Sequence, residues 1–162
     1  MVSDIQINGN DLDIFPTKIQ LYHNCTYFEI NNPHFIDFPD EICNLKNIKS
    51  IVFRDNNFQH IPICIFTLKK VQELWLYGIK LRNIPDSIIS LTGLERLSLS
   101  INENPIFPDG FFKLKRLKYF ELSRVSLRNK KERIHFDKKV IENVKKIFRD
   151  SLPNCDTDID GY

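Results

Sequence analysis

Chemistry in this chain would have to come from its carboxylates, cysteines or histidines. Glu73 and Glu121 share one sheet face in the repeat frame set out below, two repeats apart and about 10 Å by strand spacing. General acid and base work needs two groups within reach of one reacting atom, and a gap that wide without an enclosing pocket does not supply it. His23, His34, His60 and His135 are scattered with no metal-ligand pattern, so no metal is expected. GxSxG, HExxH and a glycine-rich phosphate loop are all missing, and there are five glycines in total. The expectation is a non-catalytic chain with no cofactor. Cys25, Cys43, Cys64 and Cys155 show no CxxC spacing and follow no export signal. They read as free thiols of a reduced, cytoplasmic protein, with delivery into another cell without a signal peptide left open. Cys25 falls on an inward core position, and Cys155 reads as a small packed side chain.

With 162 residues, 42% of them hydrophobic, and a net charge of +2, the chain has enough material for one domain with a real core. Disorder is excluded by that apolar fraction and low charge. No apolar run approaches the ~20 residues a bilayer requires, so no membrane contact is expected. Alanine is absent altogether. Losing the best helix former argues against a helical bundle or helical repeat, although an AT-rich genome would leave the same bias.

Five prolines set the organisation. Pro16, Pro39, Pro62, Pro85 and Pro108 stand 23 residues apart each time, a series with a chance probability of about 10^-5 at ordinary proline usage. Around them one frame returns, clearest in Leu68-x-x-Val71-x-x-Leu74-x-Leu76-x-x-Ile79-x-Leu81-x-x-Ile84-Pro85-x-x-Ile88. It restarts at Leu91, Leu94, Leu97, Leu99 and Asn102, and again at Leu114, Leu117, Phe120, Leu122, Val125 and Leu127. Earlier units begin near Leu45 and Tyr22, and the N-terminus joins partway through one with Ile5, Ile7 and Asn10. Leu74 and Leu76, two apart, have a strand period that turns both to the same side and Trp75 to the other. Proline then fixes φ and removes a donor where regular helix cannot settle. One such unit cannot bury its own apolar face and depends on stacked neighbours.

This frame resembles the leucine-rich repeat family, in the short form whose second half reads Ile/Leu-Pro-x-x-Ile/Leu, over residues 1–127. The resemblance implies an α/β solenoid: a curved leucine-rich repeat with a parallel concave sheet, an irregular or 3-10 convex side and a C-terminal capping helix. About six repeats start near 1, 22, 45, 68, 91 and 114, and residues 128–162 form the cap. The family's loop asparagine appears here as Asn10, Asn56 and Asn102, while Pro33, Ile79 and Val125 replace it in alternate repeats. Loop irregularity is expected at those rungs, with backbone satisfied by water or neighbours such as Asn32. Val140, Ile141, Val144, Ile147 and Phe148 recur at helical spacing, which predicts a lid helix over 137–150 with Asp137 as N-cap. Leu152-Pro153-Asn154-Cys155 resembles the closing segment of many bacterial leucine-rich repeat proteins, with Asp156–Ile159 read as a short edge strand. At the other end the strand around Ile5 and Ile7 is uncovered. It either invites self-association through its edge or is kept soluble by Asp4, Gln6 and Asn8.

The frame also predicts which side chains leave the sheet. A middle column runs Gln6, Glu29, Val52, Trp75, Ser98, Glu121, flanked by Asp4, Tyr27, Ser50, Glu73, Arg96, Tyr119 and by Asn8, Asn31, Arg54, Tyr77, Ser100, Ser123. Trp75, the sole tryptophan, is expected in solvent at the centre, with Tyr77, Val52, Arg54, Glu73, Arg96 and Tyr119 around it. Aromatic and arginine side chains dominate binding hot spots, so these seven residues form the candidate partner-binding surface, unless the rings only stabilise the sheet as a cross-strand ladder. The function this implies is a protein–protein interaction module. The alternatives are a substrate-recognition arm of an effector or ligase-type protein and a small immunity or inhibitor protein. Residues 1–44 hold seven acidic side chains against Lys18, and 124–149 hold ten basic ones against three acidic. That predicts a dipole, negative at the start and positive at the end, suited to steering an acidic partner or to head-to-tail contact. Nucleic acid is not expected, because the basic residues are not interleaved with aromatics.

Overall fold

The computed structural model describes residues 2–9, 15–35, 38, 40–54, 58, 61–81, 83–101, 105–124 and 136–159. Among the described residues seven strands lie in sequence order in one parallel sheet: β1 (Asp4–Asn8), β2 (Tyr27–Asn31), β3 (Ser50–Arg54), β4 (Glu73–Leu81), β5 (Arg96–Ile101), β6 (Tyr119–Arg124) and β7 (Asp156–Ile159). Between successive strands from β1 to β6 the chain returns through one 3-10 turn, and helix α1 (Lys138–Ser151) lies between β6 and β7.

The period of three that precedes each strand has a direct backbone cause. Ile65 N–H donates to the Pro62 carbonyl at 3.1 Å, Leu68 to Ile65 at 3.1 Å and Val71 to Leu68 at 3.1 Å. These are i to i+3 bonds, which bring every third side chain to the same side of the chain, and Ile65, Leu68 and Val71 are all buried. Pro85, Ile88, Leu91 and Leu94 repeat the run. Proline suits the head of each run because its carbonyl accepts while its missing N–H is not needed. The last 3-10 turn, Phe111–Lys113, is shorter and starts from Gly110, whose φ of 86° lies in the left-handed region glycine tolerates.

The 23-residue period reappears as a ladder of backbone bonds between coils. Lys49 N–H reaches Thr26 O at 2.8 Å, Gln72 reaches Lys49 at 2.8 Å, Glu95 reaches Gln72 at 2.7 Å and Lys118 reaches Glu95 at 2.8 Å. Strand register keeps the same offset, with Leu74 facing Ile51 on one side and Leu97 on the other. The inward pairs Phe28/Ile30, Ile51/Phe53, Leu74/Leu76, Leu97/Leu99 and Phe120/Leu122 are fully buried. Cys25 is buried with them, its Sγ donating to Tyr27 O at 3.0 Å.

Helix α1 has Asp137 as N-cap, the carboxylate accepting from Lys139 N–H at 2.7 Å. Its buried Phe148 stacks on Phe120 at 4.6 Å between ring centres, and Phe107, Phe111 and Phe112 close round the pair. Pairing of β7 with β6 then continues the sheet beyond the last repeat, Tyr119 facing Asp156 and Glu121 facing Asp158.

One of the alternate rungs, that of Ile79, shows irregularity, while that of Pro33 is served by a neighbouring side chain. At Pro33, Asn32 is wholly buried and its Oδ1 accepts from His34 N–H at 2.9 Å, supplying the loop bond from the neighbouring position. At Ile79, β4 runs on to Leu81 and its register with β5 shifts between Leu76 and Leu81. Asn10, Asn56, Asn102 and Val125 lie outside the described residues.

The expectation of four free thiols is corrected. Cys43 and Cys64 form a disulfide, with Cα atoms 5.7 Å apart, while Cys25 and Cys155 remain free. The two half-cystines sit in successive 3-10 turns, Asp40–Asn44 and Ile63–Thr67. Stacking places those turns side by side, a proximity that a separation of 21 residues does not announce. The argument from reduced cysteines to a cytoplasmic location therefore loses two of its four residues. Among the described residues no helix is long and apolar enough to cross a membrane.

Candidate functional site

Strand alternation turns one row of side chains per strand away from the core. In register across the sheet, one row reads Glu29, Val52, Trp75, Ser98, Glu121, Asp158, and the row beside it reads Tyr27, Ser50, Glu73, Arg96, Tyr119, Asp156. Large and small residues adjoin in these rows, so the rings can lie down over the serines.

Trp75 stacks on Tyr77 at 6.0 Å and meets Tyr119 at 5.8 Å, the first pair inclined by 21° and the second by 36°. All three are half-buried. The expectation of Trp75 standing in solvent is corrected accordingly: its ring packs on two others and its Nε1 donates to Glu73 Oε2 at 3.4 Å. The same Glu73 oxygen accepts from Ser50 Oγ at 3.2 Å. Val52, expected to border the cluster as contact surface, is the register neighbour of Trp75 but only 4% exposed, and offers little surface to a partner. Ser98 is wholly buried on the same face.

Tyr77 spans two strands to donate to Glu121 Oε2 at 3.1 Å. Burial, and then the Glu121 carboxylate, push its phenol up from an ordinary value near 10 to about 12. After burial the Ser98 hydroxyl is the next largest influence on Tyr77 and opposes that shift, yet its Oγ makes no hydrogen bond of good geometry. Toward β2 the face is polar. Arg54 Nε pairs with Glu29 Oε1 at 3.1 Å and its guanidinium lies over the Tyr77 ring at 5.1 Å. Tyr27 donates to the other Glu29 oxygen at 2.7 Å, and burial together with that carboxylate raises it to about 12. Arg96 approaches Glu73 at 3.9 Å.

The seven candidate residues thus divide. Trp75, Tyr77 and Tyr119 form one ring cluster, Glu73 ties to it, Arg54 covers its edge, Arg96 flanks Glu73, and Val52 is buried beside Trp75. Sequence reasoning left out of the binding set Glu29, which holds Arg54, and Glu121, which it weighed only as half of a carboxylate pair and which holds Tyr77; both stand in the middle column, and a carboxylate one or two strands from a tyrosine or arginine was the available signal. Nothing in this arrangement is a nucleophile held by a base. Among the described residues no group of three or more His, Cys, Asp or Glu side chains could hold a metal ion.

Solved structures with this architecture include a leucine-rich repeat protein of Leptospira interrogans, 22% identical over 97% of this chain and 48% of its own, with a TM-score of 0.57. The chain has the leucine-rich repeat fold. The plant peptide hormone receptor RGFR1, solved in complex with RGF2, is similar at 24% identity over 76% of this chain and 23% of that one, again with a TM-score of 0.57. The chain therefore spans about half the length of the first and about a quarter of the second. No protein-family model and no curated protein matches it. In the leucine-rich repeat fold the outer face of the sheet is the concave one, so the ring cluster lies on the concave side.

Proposed function

We propose that this chain is a non-catalytic protein-interaction module that binds a protein partner on its concave face around Trp75. The observation that carries this reading is the half-buried ring cluster itself. Trp75, Tyr77 and Tyr119 are held in place by stacking and by Glu73 and Glu121, yet each keeps part of its surface in solvent. Rigid aromatic area that loses little entropy on contact is what binding hot spots are built from. The parallel sheet beneath, bonded coil to coil, fixes that area without adjustable loops. A peptide-hormone receptor among the structural neighbours is in keeping with a protein or peptide ligand.

A recognition arm and an enzyme inhibitor use the same surface with different occupants. Affinity capture from the native host, followed by affinity measurement on the captured partner, distinguishes them by what is bound. Trp75→Ala is expected to cost about 2 kcal/mol or more of affinity. An unchanged affinity would place the interface elsewhere.

A further inference from the structure

The concave face has an uneven charge that the residue count along the chain conceals. On its β2–β5 side both described arginines are already engaged, Arg54 with Glu29 and Arg96 with Glu73. On its β6–β7 side three carboxylates, Glu121, Asp156 and Asp158, have no ion pair among the described residues. Glu121 and Asp158 are direct register partners on adjacent parallel strands, an arrangement of like charges that weakens a sheet. Their field is felt by Tyr119: burial first, then Glu121, Asp158 and Asp156, raise its phenol. Between Trp75 and Glu121 in the same row lies Ser98, wholly buried with an Oγ that lacks a hydrogen-bond partner.

We infer that this end of the concave face receives a cationic side chain, lysine or arginine, from a basic segment of the protein partner. The inference rests on the reading of the ring cluster as an interface and adds the partner's chemistry to it. A cation entering beside Trp75 and Tyr119 meets the electron-rich faces of two rings and the carboxylates of Glu121 and Asp158 within one row. It relieves the Glu121–Asp158 repulsion, which no cation among the described side chains does. An acidic partner, which the basic C-terminal stretch by itself would suggest, meets three carboxylates at this place and is repelled. The basic residues of α1, Lys138, Lys139, Lys145, Lys146 and Arg149, belong to the cap helix and not to the sheet rows.

A displayed library of random peptides, panned on the intact protein and counter-screened on Trp75→Ala, tests this. The expected result is a set of Trp75-dependent peptides enriched in arginine or lysine. Their affinity should fall at least about tenfold in the double variant Glu121→Gln, Asp158→Asn, and fall again with added salt. Gln at 121 keeps an acceptor for the Tyr77 hydroxyl, and a melting temperature equal to or above the parent's shows that the variant is folded. Trp75-dependent peptides without cationic enrichment, or insensitive to the double variant, would overturn the cationic inference and leave the interface standing. If no peptide depends on Trp75, the interface reading falls together with the inference.

Discussion

Two clusters of aromatic rings do opposite work in this molecule. Phe107, Phe111, Phe112, Phe120 and Phe148 meet under α1, and Phe111, Phe120 and Phe148 are almost completely buried. Trp75, Tyr77 and Tyr119 meet on the concave face at similar ring separations but stay half in solvent. The difference lies in what each ring carries. The phenylalanines have no polar atom and lose nothing by full burial, whereas Trp75 Nε1 and the Tyr77 hydroxyl have partners only at the surface carboxylates Glu73 and Glu121. The first cluster closes the solenoid; the second leaves area for something else.

That contrast can be broken by cutting one ring from each. Phe148→Ala is expected to destabilise the chain by about 3–5 kcal/mol, since it removes a ring packed on four others and opens a cavity under the lid. Trp75→Ala should cost only about 1–2 kcal/mol, the worth of its two partly exposed aromatic contacts. Chemical denaturation of both variants reads the two values, and equal losses would show that the concave cluster is simply a second core.

Between those two in size is the convex staple. Reducing the Cys43–Cys64 disulfide, or replacing both residues by serine, should lower stability by roughly 2–3 kcal/mol, the effect of opening a loop of this length. The staple joins convex turns while the rings lie on the sheet, so Trp75 fluorescence of the folded protein should stay the same. A shifted emission maximum would mean that the two faces are mechanically coupled.

The smallest effect is a pH signature. Tyr77 keeps its proton to about pH 12 in the folded chain against about 10 when unfolded. A raised folded value contributes stability that is complete below pH 10 and is lost as pH rises through about 12. Alkaline titration followed by tyrosinate absorbance should show a late-ionising component to which Tyr77 and Tyr27 both contribute, and Tyr77→Phe should remove Tyr77's part of it along with its share of the alkaline destabilisation. No phenylalanine of the buried cluster can produce such a component, so the part lost in Tyr77→Phe belongs to the open cluster.

The repeat frame was legible because its cause is local and recurrent. Proline fixes φ, the i to i+3 bonds enforce x-x spacing, and alternation turns Leu74 and Leu76 inward. Asp137 as N-cap and Asn32 as a substitute loop partner followed from the same local logic. The outward position of Trp75 was legible too, but not its posture. Alternation says which way a side chain leaves the backbone; whether it then lies down depends on neighbours 23 and 44 residues away, here Ser98 and Tyr119. Val52 was misjudged for the same reason, being outward in the frame and yet covered.

The sequence by itself determined the period, the inward core and the membership of the two outward columns around Trp75 and Glu73, because a repeated local rule needs no knowledge of distant residues; the parallel strands came with the family resemblance that the period carries. Only the tertiary structure decided that Cys43 meets Cys64, that Tyr77 reaches Glu121, and that Asp156 and Asp158 extend an acidic end onto a face whose chain end counts as basic. Each of these is a contact between residues that stacking brings together, and stacking distance is a property of the whole solenoid.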